Sequence, residues 1–253
     1  MGLSVEVGIL ADLIARDPEG ATEVGRDFDV IADALREKGL GVFEEPTACD
    51  VWFADLHGYS GLHALREVAG MVWKGVEIPR DTLLDGSQTD FADALAKEFF
   101  THLAGKAQFT LIGQAFRKIF KAKEPAKLPP FVHLVVHSDC DGFYVPVSFE
   151  TPLVPKRVAG KDEHLWPLGS VMRLEAEVNQ LSRLLEIPAE MQNDDARLIE
   201  LMNAPDRGET APLWRTQPIA RYGIWKPRLP VSGFGSWRVC PRQSRRSRPT
   251  HCL

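Results

Sequence analysis

The sequence predicts an α+β fold, a helix-rich single domain packed on a small antiparallel sheet with a central β-hairpin. Five segments repeat apolar residues at steps of three and four, which is the spacing of amphipathic helices. Residues 133 to 149, HLVVHSDCDGFYVPVSF, instead centre on an Asp-Gly pair, the strongest short-range signal of a hairpin. The content of 44% hydrophobic and 26% charged residues is that of a globular protein.

The first three helices have recognisable ends. Gly39 ends the first, Ser60 caps the second and Gly75 ends it, and Thr89 or Asp90 caps the third. Each helix carries an apolar stripe that we expect to face the core. The stripes are Phe28, Ile31, Ala34 and Leu35 in the first helix, Leu62, Leu65, Ala69 and Val72 in the second, and Phe91, Leu95 and Phe99 in the third.

Two further helices are predicted on either side of the hairpin. The fourth carries an apolar face over residues 109–119 and ends before Pro125. The fifth is capped by Ser170 and carries an apolar stripe until Pro188, formed by Val171, Leu174, Val178, Leu181 and Leu185. A short helix over residues 193–204 is expected to follow.

The hairpin register decides which side chains share a face. A two-residue type I′ turn at Asp141-Gly142 places Cys140 opposite Phe143. The core face then carries Leu134, Val136, Val145, Val147 and Phe149, and the solvent face carries His133, His137, Asp139, Tyr144 and Glu150. The two faces differ in polarity, which a correct register should produce.

The solvent face of the hairpin is the first candidate site. His137 suits a general base or a ligand, Asp139 would orient it, and Tyr144 would donate a hydrogen bond. The alternative is the solvated side of an ordinary hairpin, held by cross-strand hydrogen bonds.

The segment DLHGYSGLHALRE at residues 55 to 67 adds three candidate binding residues, His57, Tyr59 and His63. His57 lies in a Gly-flanked loop, where functional side chains often lie. His63 and Glu67 are four residues apart on the predicted helix, so they would either share a metal ion or form an ordinary ion pair.

A composite metal site is the second candidate. The set His57, His63, His137 and Asp139 would suit a divalent ion such as zinc or ferrous iron if the two segments meet. No other cofactor is predicted, because the chain has no GxxxxGK[ST] loop and no GxGxxG after a strand. Nucleotide-driven chemistry and dinucleotide redox are therefore disfavoured.

Charge is distributed unevenly along the chain. No acid follows Glu209, whereas nine of the 30 basic residues do, so residues 1 to 210 carry 21 bases against 35 acids, a net charge of −14. We expect this part to bind a protein and no nucleic acid, since attraction to phosphate needs clustered Lys and Arg.

The same asymmetry divides the chain into two predicted parts. Residues 1 to 210 form the globular domain, and residues 211 to 253 form a basic, Pro- and Arg-rich tail with poor structure. Three interpretations of the tail are open. It could bind RNA or an acidic partner, it could fold back on the acidic domain, or its sequence could come from a slipped reading frame.

A cytoplasmic location without membrane contact is predicted. No apolar stretch approaches the roughly 20 residues that cross a bilayer. The N-terminal segment contains Glu6 and Asp12 and lacks the basic region of a signal peptide.

Three blocks, MGLSVEVGILADLI, YSGLHALREVA and HSDCDGFYVPVSF, resemble a family of uncharacterised bacterial proteins with YSxLHxLR and HSDxxGYYxPVxF blocks. In that family a GS-led helix, similar to GSVMRLEAEV here, recurs after them. The resemblance covers about residues 1 to 190 and implies no activity and no catalytic residue. It also implies a further helix and a final strand, from which this chain departs after about Trp225.

Two functions follow as hypotheses. The first is a non-enzymatic cytosolic binding protein, in its most concrete form an immunity-type partner that neutralises a toxin, because an acidic surface suits a basic partner. The second is a metal-assisted hydrolase built on His57, His63, His137 and Asp139.

Overall fold

The computed structural model describes residues 3–56, 60–79, 84, 86–107, 127–137, 142–155, 167–187 and 237–241. In chain order, its elements are β1 Leu3–Val7, α1 Ile9–Arg16, α2 Pro18–Glu37, β2 Trp52–Leu56, α3 Ser60–Lys74, α4 Asp90–Ala107, α5 Val132–Val135, β3 Gly142–Val145, β4 Gly169–Ser170, α6 Val171–Leu184 and β5 Trp237–Pro241. The α+β class is confirmed. None of the helices in these ranges combines the length and the apolar character that crossing a membrane needs.

The strands form one five-stranded sheet in the order β2-β1-β5-β3-β4. The last of the described strands in chain order therefore lies at the centre. β5 is antiparallel to both neighbours, with Val7 opposite Trp237 on one side and Gly142 opposite Val239 on the other. β1 and β2 are antiparallel, whereas the short pair of β3 and β4 is parallel.

The predicted helices are present where the structure describes their residues. α3 begins at Ser60, α4 begins at Asp90, and α6 follows Ser170, whose hydroxyl accepts a hydrogen bond from the Arg173 N–H at 3.4 Å. The predicted helices over residues 109–119 and 193–204 lie outside the described residues.

α2 begins at Pro18, ten residues before Phe28, the first residue of the predicted apolar stripe. The Asp17 side chain accepts a hydrogen bond from the Gly20 N–H at 3.0 Å, and Pro18 occupies the first turn. Both are helix-start signals that the sequence already carries.

The predicted central β-hairpin is wrong. In the described part of its first arm, residues 133–137, the chain forms the one-turn helix α5, entered through Phe131 in the left-handed region at φ 59°. Only the second arm is a strand, β3, and it pairs with β4 and β5. The physical reason is burial, since Val132 to His137 are all buried and the arm has no solvent face for an alternating strand to present.

The apolar side chains form two groups. The first, here called the helical core, joins α3, α4, α5 and α6 and includes Val68, Leu95, Phe99, Leu134 and Leu181. The second, here called the sheet core, joins α1, α2 and β3 and includes Ile9, Phe28, Ile31, Leu35 and Val145. α5 belongs to the helical core and β3 to the sheet core, so the segment between them connects the two.

The tail prediction concerns residues 211 to 253. β5, over Trp237–Pro241, lies inside this range and is a strand of the sheet. The other residues of the range lie outside the described part of the chain, so the domain boundary near residue 210 stays a prediction.

Helix α3 lies close against the α4 backbone at Gly70. A Cβ atom added there would lie 2.3 Å from the Phe91 carbonyl carbon, so the α4 backbone would have to move. We predict that Gly70→Ala lowers the free energy of unfolding by about 1–3 kcal/mol in urea denaturation.

Gly25→Ala in α2 is the matched control, because a Cβ atom at Gly25 meets nothing within 4 Å. It should raise the free energy of unfolding by up to about 1 kcal/mol through helix propensity. Equal effects of the two substitutions would contradict a close α3–α4 approach.

Candidate functional site: a clamped helical turn and an acidic helix face

Two charged side chains hold α5 at its two ends. The Glu177 carboxylate, from α6, accepts hydrogen bonds from the His133 N–H at 3.2 Å and the Leu134 N–H at 2.9 Å. Arg66, from α3, donates from Nε to the Leu134 carbonyl at 2.9 Å and from Nη2 to the His137 carbonyl at 2.7 Å. An anion at the amino end and a cation at the carboxyl end both suit the helix dipole. We call this arrangement the α5 clamp.

His133 is buried inside the same structure, with 1% of its surface exposed. Its Nδ1 accepts a hydrogen bond from the Ser170 N–H at 3.0 Å, so the proton lies on Nε2, which is 3.1 Å from the Glu150 carbonyl. Burial lowers the pKa of His133 to about 4. The ring is therefore neutral at physiological pH and serves as a structural hydrogen-bonding group.

His137 and Tyr144 stack face to face, with ring centroids 3.9 Å apart and an interplanar angle of 9°. The stack is enclosed by two glycines, because a Cβ atom at Gly142 would lie 2.1 Å from the His137 ring and one at Gly169 would lie 2.2 Å from the Tyr144 ring. The Tyr144 hydroxyl donates to the His133 carbonyl at 2.8 Å. The stack thus joins β3 to α5.

The predicted outward orientation of His133, His137 and Tyr144 is wrong. All three are buried, and the backbone partners of the two imidazoles and of the phenol satisfy them inside the protein. His137 and Tyr144 do lie side by side, but they meet in the core and not on a solvent face. Asp139 lies outside the described residues. The continuous apolar run around His133 was the available signal for burial.

Glu67 has a structural use that the sequence did not indicate. It is 3% exposed, and its carboxylate accepts hydrogen bonds from the Phe91 and Ala92 N–H groups, each at 3.0 Å from Oε2. It therefore caps the amino end of α4 and is not available to share a metal ion with His63, which is partly buried one turn earlier.

The composite metal site stays a prediction. His57, Tyr59 and Asp139 lie outside the described residues. Within the described ranges, no group of three or more His, Cys, Asp or Glu side chains is placed to hold a metal ion.

The outer side of α2 carries several exposed acids. Its exposed acids project opposite the apolar stripe of Val24, Phe28, Ile31 and Leu35, which is buried in the sheet core. We call these acids the acidic face of α2: Glu19, Glu23, Asp29, Asp33 and Glu37.

Two basic residues offset part of this charge. Arg26 is exposed among the acids, and Arg36 forms an ion pair with Asp33. No ion pair joins Glu19, Glu23 or Asp29 to another described residue. Three carboxylates of the face are thus free to meet a cationic partner.

A family model described as "Putative DNA-mimic protein" matches residues 1–222 of the 253. The chain belongs to this family. No curated protein and no solved structure matches the chain. Membership supports a non-enzymatic protein-binding role, as the first of the two sequence hypotheses stated. Family membership does not test toxin neutralisation or metal-assisted hydrolysis, so both stay predictions.

The family contradicts the predicted partner class. We expected residues 1 to 210 to bind a protein and no nucleic acid. A protein partner fits the family, but its description as a DNA mimic conflicts with the exclusion of nucleic acid. The expectation failed because it considered only attraction between phosphates and basic residues. A negative surface can instead take the place of the phosphates themselves.

The α5 clamp predicts that a substitution of Arg66 destabilises the protein more than the same substitution at an exposed arginine. Arg66→Lys keeps the positive charge but loses the planar fork that reaches two carbonyls, so we expect unfolding free energy to fall by about 1.5–3 kcal/mol. Arg183→Lys, at an exposed position on α6, is the control and should change it by less than about 0.5 kcal/mol. Chemical denaturation of both variants measures the difference, and equal stabilities would exclude a clamp of this geometry.

Proposed function

We propose that this protein imitates the phosphate backbone of duplex DNA and binds a protein that otherwise binds DNA, with the acidic face of α2 as part of the contact surface. The family match over residues 1–222 carries the proposal. The charge of the described surface supports it, because α2 presents five exposed carboxylates on one side.

The spacing of these carboxylates suits the proposal. α2 has 20 residues and is therefore about 30 Å long at 1.5 Å per residue. Acids four residues apart, such as Glu19 and Glu23 or Asp29 and Asp33, are separated by about 6 Å along the axis. Phosphates on one DNA strand follow one another at about 3.4 Å along the axis, so the carboxylates of the face lie at axial intervals of the same order.

The rigidity of α2 also suits the proposal. Phe28, Ile31 and Leu35 are 6%, 1% and 0% exposed, so packing holds the helix that carries the charges. Charges fixed before binding lose less conformational entropy on association than charges on a segment that must first become ordered. The affinity then depends on ionic strength, as expected for exposed charges.

The test is displacement from DNA. Proteins retained on duplex DNA–cellulose from an extract of the source cells are eluted at low salt with the purified protein. A protein released in this way is then purified and titrated on fluorescent duplex DNA, with this protein as competitor. We expect competition that weakens steadily as salt is added.

Neutralising three acids on the acidic face of α2 tests whether these residues make the contact. The triple variant Glu19→Gln, Glu23→Gln and Asp29→Asn should compete roughly ten-fold less well, since each lost charge contributes about 0.5 kcal/mol. The control removes the same charge from exposed acids elsewhere, through Asp50→Asn, Glu77→Gln and Glu175→Gln. No displacement by the wild-type protein would contradict DNA mimicry, and equal weakening in both triple variants would exclude the α2 face.

A further inference from the structure

The centre of the sheet is supplied by a strand from far along the chain. β5, Trp237–Pro241, lies between β1 and β3 and is antiparallel to both. Both neighbours end at or before Val145, so β5 is joined to neither by a hairpin turn. Residues 185–236 separate it from the end of α6. Its place in the sheet therefore depends on its own pairing and not on a short connection.

The two neighbours of β5 enclose a space one strand wide. Because β1 and β3 are both antiparallel to β5, they run parallel to each other on its two sides. Adjacent strands lie about 4.8 Å apart, so the backbones of β1 and β3 are about 10 Å apart and pair through the strand between them. We call this space, between Leu3–Val7 and Gly142–Val145, the strand slot.

The strand slot and the strand inside it come from different parts of the chain. β1 and β3 lie within residues 1–222, which the family model matches, whereas β5 begins after this range. The walls of the slot thus belong to the family-matching part, and the strand that fills it does not. Addition of a strand to an existing sheet has this arrangement, with an acceptor formed by one segment and an occupant supplied by another.

The register shows which kind of segment suits the strand slot. Trp237 lies opposite Val7 on one side and Tyr144 on the other, and both of these residues are 4% exposed. Arg238, the next residue, lies opposite Glu6 in β1. Opposite charges at directly facing positions stabilise an antiparallel pair. The slot therefore suits an extended segment with apolar residues at alternate positions and a basic residue beside them.

We propose that the strand slot is a binding site for an extended peptide and that β5 occupies it as an exchangeable strand. The ligand is the segment Trp237–Pro241 of this chain, and a copy of this segment from another molecule takes its place by forming the same antiparallel pairs with β1 and β3. In this mode of recognition the main-chain hydrogen bonds supply affinity and the alternate side chains supply specificity.

The length of the connection favours exchange. A strand tethered through a long connection has a lower effective concentration at its site than one tethered through a short connection. Residues 185–236 form such a connection. The covalent link therefore gives β5 a limited advantage over a free copy of the same segment. The proposal does not rest on DNA mimicry, so either can fail alone.

The test is displacement of β5 from the cut protein. A site-specific protease sequence is inserted after Gly223 in the full chain and cleaved while the protein is folded. In about 0.5 M NaCl, which screens general attraction between the basic piece and the acidic domain, we expect residues 224–253 to stay bound through size-exclusion chromatography. Excess synthetic peptide of residues 229–243, kept reduced, should release this piece.

Variant peptides separate strand pairing from charge. Val239 lies opposite both Val5 and Gly142, so Val239→Pro keeps the charge of the peptide but removes a ladder N–H in the middle of the strand. This peptide should need at least about ten-fold more material for release. Val231→Pro, outside β5, is the matched control and should act as the unmodified peptide does. Arg238→Glu should need roughly five-fold more, because it faces Glu6.

Amide exchange in the unmodified chain gives a second measurement that needs no inserted sequence. About 1 mM of the same peptide should speed exchange in β5 and leave exchange in β1 unchanged, because β1 keeps a paired strand while β5 loses both neighbours. Loss of the cut piece without peptide, equal release by the Val239→Pro peptide, or unchanged exchange in β5 would overturn the proposal.

Discussion

The fold depends on holding a helical turn that is too short to be stable alone. α5 has four residues, and isolated helices shorter than about 12 residues are marginal in water. Glu177 and Arg66 supply the acceptors and donors that the ends of this turn lack, and they come from two different helices, α6 and α3. Because the chain continues from α5 into β3, the clamp also sets how the helical core meets the sheet core.

The same constraint explains why the polar residues of this region are buried. The backbone of α5 needs partners inside the protein, and the side chains that meet this need are polar. His133 binds the Ser170 N–H, Tyr144 binds the His133 carbonyl, and the Tyr144 ring stacks on His137 between two glycines. Residues that look catalytic in the sequence thus have a structural role in the core. Binding of a partner would then use the outer surface. The acidic face of α2 is such a surface, and it is carried by a helix that the sheet core holds in place.

Much of the helical architecture could be predicted from local patterns. The apolar stripes of α2, α3, α4 and α6, the glycines that end helices at Gly39 and Gly75, and the cap at Ser170 are all determined by residues close in sequence. The site could not be predicted in the same way. Glu177 lies more than 40 residues from the amides that it binds, and Arg66 nearly 70 from its carbonyls, so no local pattern records either contact.

By itself, the sequence determined the α+β class, the helix faces and the acidic character of residues 1 to 210, because periodicity and charge are local properties. Only the tertiary structure decided the role of residues 133 to 145. Alternation of polar and apolar residues favours a hairpin only where one side of the strand meets water. Here both sides are covered, so Val132–Val135 forms a turn of helix, β3 pairs with β4 and β5, and His133 and His137 turn inward.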